Sequence, residues 1–206
     1  QKILTDLSSR FIAERILHEM PSVNKNSAVY IVVDGPSGIG KSTLMKAMRK
    51  VFWRSKYSAV YFGQDMFLIE REQRYAMIDK ILSGQMDVSI FDERSFFDFE
   101  KMKWALEKIN DFRRSGRETL SFVIPDAFDS ETKKRGPVTF KMRKNSIVIV
   151  DGKYAHDQAF DDSYGNRVFR LRVAKNPDLV RSQMMEREAK HRSAEEFERY
   201  KEFYPV

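Results

Sequence analysis

The chain has 206 residues with 37 Lys and Arg against 30 Asp and Glu, a net charge of +7, and 42% of its residues are hydrophobic. That size suits one α/β domain with a packed core, and the absence of cysteine excludes a disulfide framework, a thiolate metal site and a cysteine nucleophile. No apolar run approaches the roughly 20 residues of a membrane-spanning helix. Asp6 and Glu14 interrupt the segment where a signal peptide would need its apolar stretch, so a cytoplasmic protein without a membrane partner is expected. The chain begins with Gln1 rather than methionine, which reads as a fragment or a processed form. The positive charge calls for an anionic partner, and both nucleic acid and a triphosphate meet that description.

Residues 3–20 place Phe11, Ile12, Ile16 and Leu17 at helical spacing before MPSV breaks the pattern. This N-terminal extension (1–27) could pack on a sheet edge or meet a partner subunit, so a homo-oligomer stays open. AVYIVV (28–33) reads as a strand buried on both faces, 41–53 as a helix and SAVYFG (58–63) as a second buried strand. A helix over 70–83, a third strand at VSIF (88–91) and an amphipathic helix over 97–112 follow. TLSFVI (119–124) and VTFKM (138–142) read as short strands of a hairpin around DSETKKRGP. SIVIV (146–150) is a buried strand, RVFRLRVA (167–174) alternates, a basic helix spans 177–192, and AEEFERYKEFY closes the chain. Strands alternating with helices predict an α/β fold: a doubly wound, mainly parallel sheet flanked by helices, in a single domain.

Between the first strand and the next helix stands GPSGIGKST, residues 35–43. Gly35, Gly40, Lys41 and Ser42 match the G-x-x-x-x-G-K-[ST] phosphate-binding loop, with Pro36, Ser37, Gly38 and Ile39 inside it and Thr43 after it. Glycines let backbone N–H groups turn inward and approach an anion, and the helix behind adds its positive end. Lys41, expected to be exposed in the loop, supplies a full charge near the β- and γ-phosphates, and Ser42 a hydroxyl for Mg2+. A glycine turn that merely caps a helix would not require the buried strand before it.

Two acidic residues follow strands. Asp65, just past the second strand, falls where ligands bind in open α/β sheets and can take a proton from an attacking hydroxyl or hold Mg2+. Its alternative is a helix N-cap. Asp151 closes IVIVD and fits a Walker B role toward Mg2+; the alternative is an Asp-Gly turn with Gly152. Arg181, Arg187, Lys190 and Arg192 cluster on the late basic helix, either as a solvated face or as cations closing over the γ-phosphate.

GPSGIGKST, QDMF, IFDERSFFDFEKMKWAL, IVIVDG and DLVRSQMMEREAKHR, in that order, resemble the uridine kinase-like branch of the P-loop kinases, which includes uridine–cytidine kinases and phosphoribulokinase. The likeness runs from about Val32 to Arg192. It implies a P-loop NTPase-type fold, ATP and Mg2+ as cofactors, and Asp65 as the base facing a small-molecule hydroxyl acceptor. It implies that Asp92 contacts the acceptor's sugar and that Phe128 and Lys133 stand where the family holds the base with tyrosine and histidine. Arg187 and Arg192 fall on lid arginines that meet phosphate, Arg187 counting with Lys41 and Asp65 as catalytic. Ser42, Asp65 and Asp151 are the metal-side residues. The chain departs from the family at FDER for FDHP, at Phe128 and Lys133, at Asp151 for glutamate, and at Met184 and Ala194 for lid arginines.

An ATP-dependent kinase acting on a nucleoside such as uridine or cytidine is therefore expected. Pantothenate, a nicotinamide riboside-like compound, glycerate or a sugar phosphate are the alternative acceptors, and a nucleotide-binding module with little catalysis is the alternative class. NKNS (24–27) lacks the aspartate of a guanine-reading motif and precedes the phosphate loop, which counts against a GTPase. Basic residues are scattered rather than striped, which counts against nucleic acid.

Overall fold

β1 (Tyr30–Asp34) and β5 (Ile147–Gly152) are the most apolar strands of the chain, and in the computed structural model they lie side by side, parallel, at the sheet centre. β2 (Ala59–Gly63) pairs with β5 and β6 (Val168–Arg172) with β1, all parallel, in the order β2-β5-β1-β6. The structure describes residues 2–19, 29–35, 39–55, 57–87, 89, 91–129, 132, 134–164, 168–174, 178, 182, 185–186, 189–190 and 193–203.

Strand alternation sends side chains to two faces. Ile31, Val33, Ile147 and Ile149 pack with Ala13 and Ile16 of α1 (Lys2–Glu19) and with Leu44, Met45, Met48 and Phe52 of α2 (Lys41–Arg54). Tyr30, Val32, Val148 and Val150 pack with Met102, Ala105, Leu106, Ile109 and Phe112 of α4 (Phe99–Arg114). Further described helices are α3 (Arg71–Leu82), a single turn α5 (Asp161–Tyr164) and α6 (Ala194–Phe203). The predicted α/β architecture with a mainly parallel sheet is what forms. The N-terminal helix lies against α2, and its Ala13 and Ile16 share a core cluster with Ile31, Val33, Ile147 and Ile149 of the sheet. Among the described residues no helix is long and apolar enough to cross a membrane.

The hairpin is longer than its sequence suggested: β3 (Thr119–Asp129) pairs antiparallel with β4 (Lys134–Arg143). Its register breaks between Ile124 and Ala127, where Pro125 has no N–H to donate and Asp126 takes a φ of 50°.

Two expectations are corrected. SAVYFG forms β2 but not a buried strand: β2 ends the sheet, so Tyr61 stays 47% exposed. VSIF does not form a third strand at its described residues, Ser89 and Phe91; Val88 and Ile90 lie outside them. The Asp87 carboxylate instead accepts from Ser89 N at 2.8 Å, and Phe91 stacks on Phe96 with ring centroids 5.2 Å apart. A local side-chain acceptor thus replaces a ladder partner.

Candidate active site

The phosphate loop is shaped by contacts a larger residue would break. Gly35 has a φ of 146°, and a Cβ there would stand 2.6 Å from the carbonyl oxygen of Val173. Gly40, at φ 104°, caps α2 in the left-handed region, and no acidic residue offsets the positive end of that helix in its first turn. Ile39 is buried, while Ser42 and Thr43 are exposed at the helix start. Lys41 corrects the expectation of a free loop lysine. Its side chain is only 11% exposed, Nζ donates to Gly35 O at 2.7 Å, and Nζ lies 4.0 Å from Asp151 Oδ1. The attraction of that carbonyl and carboxylate draws the ammonium inward. Pro36, Ser37 and Gly38 lie outside the described residues.

Asp151 belongs to β5, paired with Val33 of β1 and Gly63 of β2, so it is not part of an Asp-Gly turn. Tyr61 OH donates to Asp151 Oδ2 at 2.7 Å. Burial pushes the Asp151 carboxyl above its ordinary range; the Tyr61 hydrogen bond and the Lys41 charge pull it back, and nearby Asp65 pushes it up again. Burial of the Tyr61 hydroxyl beside Asp151 and Asp65 likewise holds the phenol protonated. Asp151 Oδ1 is buried with no hydrogen-bond partner among the described residues, an acceptor left for a cation or a water.

Asp65 sits exposed in a 3-10 turn (Gln64–Phe67) immediately after β2. Gly63 holds the cap position of that turn and no side chain caps it, so the carboxylate is not occupied as an N-cap. Gln64 beside it is fully buried, and its Oε1 accepts from Tyr154 N at 3.0 Å. A Cβ on Gly152 would come within 2.2 Å of that same Oε1, so Gly152 and Gln64 interlock the Asp65 turn with the end of β5. Sequence reading missed both Tyr61 and Gln64. The buried-strand reading hid the tyrosine; the QDMF motif held the glutamine but drew attention only to its aspartate.

Of the residues expected on the acceptor side, Asp92 belongs to a segment packed on the Asp65 turn. Leu68 bridges Phe97, Ile69 N donates to Phe96 O at 2.9 Å, and Asp98 N to Phe67 O at 2.7 Å, which lays the Asp92 segment against the Asp65 turn. Asp92 caps a 3-10 turn (Glu93–Phe96), accepting from Arg94 N at 2.9 Å and Arg94 Nε at 2.6 Å. Those bonds hold its carboxyl below the usual range. Arg94 also reaches Asp157 Oδ2 at 3.1 Å. Phe128 is half-buried on β3. Lys133, Arg181, Arg187 and Arg192 lie outside the described residues; of the basic cluster, Lys190 pairs with Glu186 at 2.5 Å on an exposed face.

The structure brings together Lys41, Asp151 and, through Tyr61 and the sheet, Asp65. Among the described residues no group of three or more His, Asp or Glu is arranged to hold a metal ion. Mg2+ asks for less: it usually takes one or two carboxylates and completes its shell with water and substrate phosphate. The buried Asp151 Oδ1, which accepts no hydrogen bond, and the exposed Ser42 and Asp65 fit that donor set.

A glycine loop between a buried strand and a helix, with its lysine facing a strand-end aspartate, is the arrangement of a P-loop nucleotide-binding protein. The chain belongs to the phosphoribulokinase / uridine kinase family, whose model matches residues 30–195, and is accordingly a kinase acting on a small-molecule hydroxyl. No curated protein sequence matches it. Among solved structures it is similar to the YGR205w protein, at TM-score 0.62 and 14% identity over 97% of this chain and 84% of that one. A candidate fructose transport system kinase from Silicibacter sp. TM1040 matches at 0.59 and 14%, over 89% and 82% of the two chains. A protein described as a possible uridine kinase from Bacillus stearothermophilus matches at 0.54 and 18%, over 87% and 85%. At these identities the likeness concerns the fold.

Proposed function

We propose that the protein transfers the γ-phosphate of ATP, with Mg2+, to a hydroxyl of a nucleoside, uridine or cytidine first. The observation that carries this reading is the convergence of Lys41, Asp151 and Asp65 at the C-terminal ends of β1, β5 and β2. Bound Mg2+ would supply charge neutralisation across the phosphates, with Ser42, Asp151 and Asp65 as its protein-side residues. Lys41 has its ammonium on Gly35 O, and exchanging that neutral carbonyl for an anionic phosphate oxygen keeps one hydrogen bond and adds the attraction of opposite charges. Tyr61 holds Asp151 in a single orientation. Asp65 accepts the acceptor's hydroxyl proton as the new O–P bond forms and ADP departs. Asp92 and Phe128 line the acceptor side, with Lys133 completing the base contacts, and Arg187 and Arg192 stabilise charge on the transferred group. A cytoplasmic setting, with its ATP supply, goes with this reading.

The test is ADP release measured with Mg-ATP across uridine, cytidine, other nucleosides, pantothenate, glycerate and sugar phosphates. Stimulation by uridine or cytidine above all others is expected. Preference for a non-nucleoside overturns the acceptor assignment, and no stimulation by any of them overturns the catalytic one.

A further inference from the structure

Arg135 stands on β4 directly opposite Phe128 on β3. Its side chain is 17% exposed, and its guanidinium joins two parts of the chain that are far apart in sequence. On the hairpin, Nη2 donates to Asp126 Oδ2 at 2.5 Å and to Asp126 O at 2.7 Å, and Nε to Asp126 Oδ1 at 3.0 Å. Across the gap, Nη1 donates to Leu68 O, and Nε lies 2.9 Å from Glu70 Oε1. Leu68 and Glu70 are the residues that follow the Asp65 turn, and Leu68 is also the bridge to Phe97. Asp126, with a φ of 50° at the register break, is the backbone position that needs outside support, and the arginine fork gives it three bonds.

We propose that Arg135 is a positioning residue for the acceptor: it clamps the hairpin that carries Phe128 to the turn that carries Asp65. The proposal rests on the reading of Asp65 and Phe128 as acceptor-side residues. With most of its N–H groups committed to protein oxygens, Arg135 is a fastener rather than a receptor for an anionic acceptor. The planar fork matters, because a lysine ammonium cannot satisfy Asp126, Glu70 and Leu68 O together.

The test uses the full chain with Arg135→Gln, Arg135→Lys and the milder Asp126→Asn, which keeps side-chain size if the arginine variants fold poorly. Three quantities are read: affinity for a non-hydrolysable ATP analogue, KM and kcat for uridine with Mg-ATP, and amide hydrogen exchange at 68–70 and 126–128. Expected are nucleotide affinity within twofold of the parent, faster exchange in both segments together, and a uridine KM raised on the order of tenfold by Arg135→Gln, with Asp126→Asn shifted the same way. Arg135→Lys should recover only part of the loss. Unchanged exchange and KM in Arg135→Gln, or full recovery by lysine, would overturn the clamp. If the parent turns over no uridine, the acceptor reading falls, while the exchange measurement still decides whether the two segments are fastened by Arg135.

Discussion

Lys41 Nζ donates to Gly35 O at 2.7 Å and stands 4.0 Å from Asp151 Oδ1, so the loop's cation is held between its own first glycine and the strand-end carboxylate. Two consequences follow from one side chain. Lys41→Ala should lower turnover by at least 10²–10³-fold, on the order seen when a transition-state donor is removed. It should also lower the thermal midpoint, because Asp151 loses its neighbouring cation while remaining 12% exposed. Turnover and calorimetry on the same preparation check both; parental activity in Lys41→Ala would sink the site.

Asp151 couples function to stability through pH. Burial raises its folded pKa above the unfolded value. Between those two values the native state keeps a proton that the unfolded chain has released, so this group's contribution to stability falls as pH rises through that window. Without nucleotide, Asp151→Asn should therefore match or exceed the parent's thermal midpoint at neutral pH, with the gap closing as pH drops toward the ordinary carboxylate range. Its turnover should fall on the order of 10–100-fold, as expected for loss of a group supporting a metal. Midpoints recorded from acid to neutral pH decide the matter: a variant uniformly less stable than the parent contradicts the buried-charge account.

Asp65→Asn should leave ATP-analogue binding intact and cut turnover on the order of 10²–10⁴-fold, the range for removal of a general base. The side chain is exposed and caps no helix, so little stability should be lost. Calorimetric affinity beside single-turnover rates separates the two effects, and an equally active variant would remove Asp65 from the mechanism.

Gly152→Ala places a methyl 2.2 Å from Gln64 Oε1, a clash that should cost about 1–3 kcal/mol and disturb the Asp65 turn. Gln64→Gly removes both the amide and the Gln64 Cβ that would stand 2.5 Å from the new methyl, so the double variant should be more stable than the two single losses summed. Denaturant unfolding of all four proteins checks it. Strict additivity would mean that the two residues do not interlock.

The phosphate loop was readable in one dimension because its constraint is local: a left-handed glycine, a helix start and a lysine at fixed spacing need no distant partner. The central strands were readable for a similar reason, since burial on both faces demands unbroken apolar runs. Asp65 and Asp151 could be nominated from their places after those runs. Their proximity could not be read, because it arises from parallel pairing of β2, β5 and β1, whose order no local pattern encodes. The same cause hid Tyr61, whose hydroxyl meets Asp151 across strands 90 residues apart in sequence. It also misled on SAVYFG, because composition does not tell an edge strand from a central one. Arg135 looked like one cation among many in a polar loop, and its bonds to Asp126, Glu70 and Leu68 exist because the hairpin folds back over the Asp65 turn. Local backbone chemistry thus wrote the nucleotide loop into the order of residues, whereas long-range strand pairing and hairpin packing set the distances between the groups proposed to carry out the transfer.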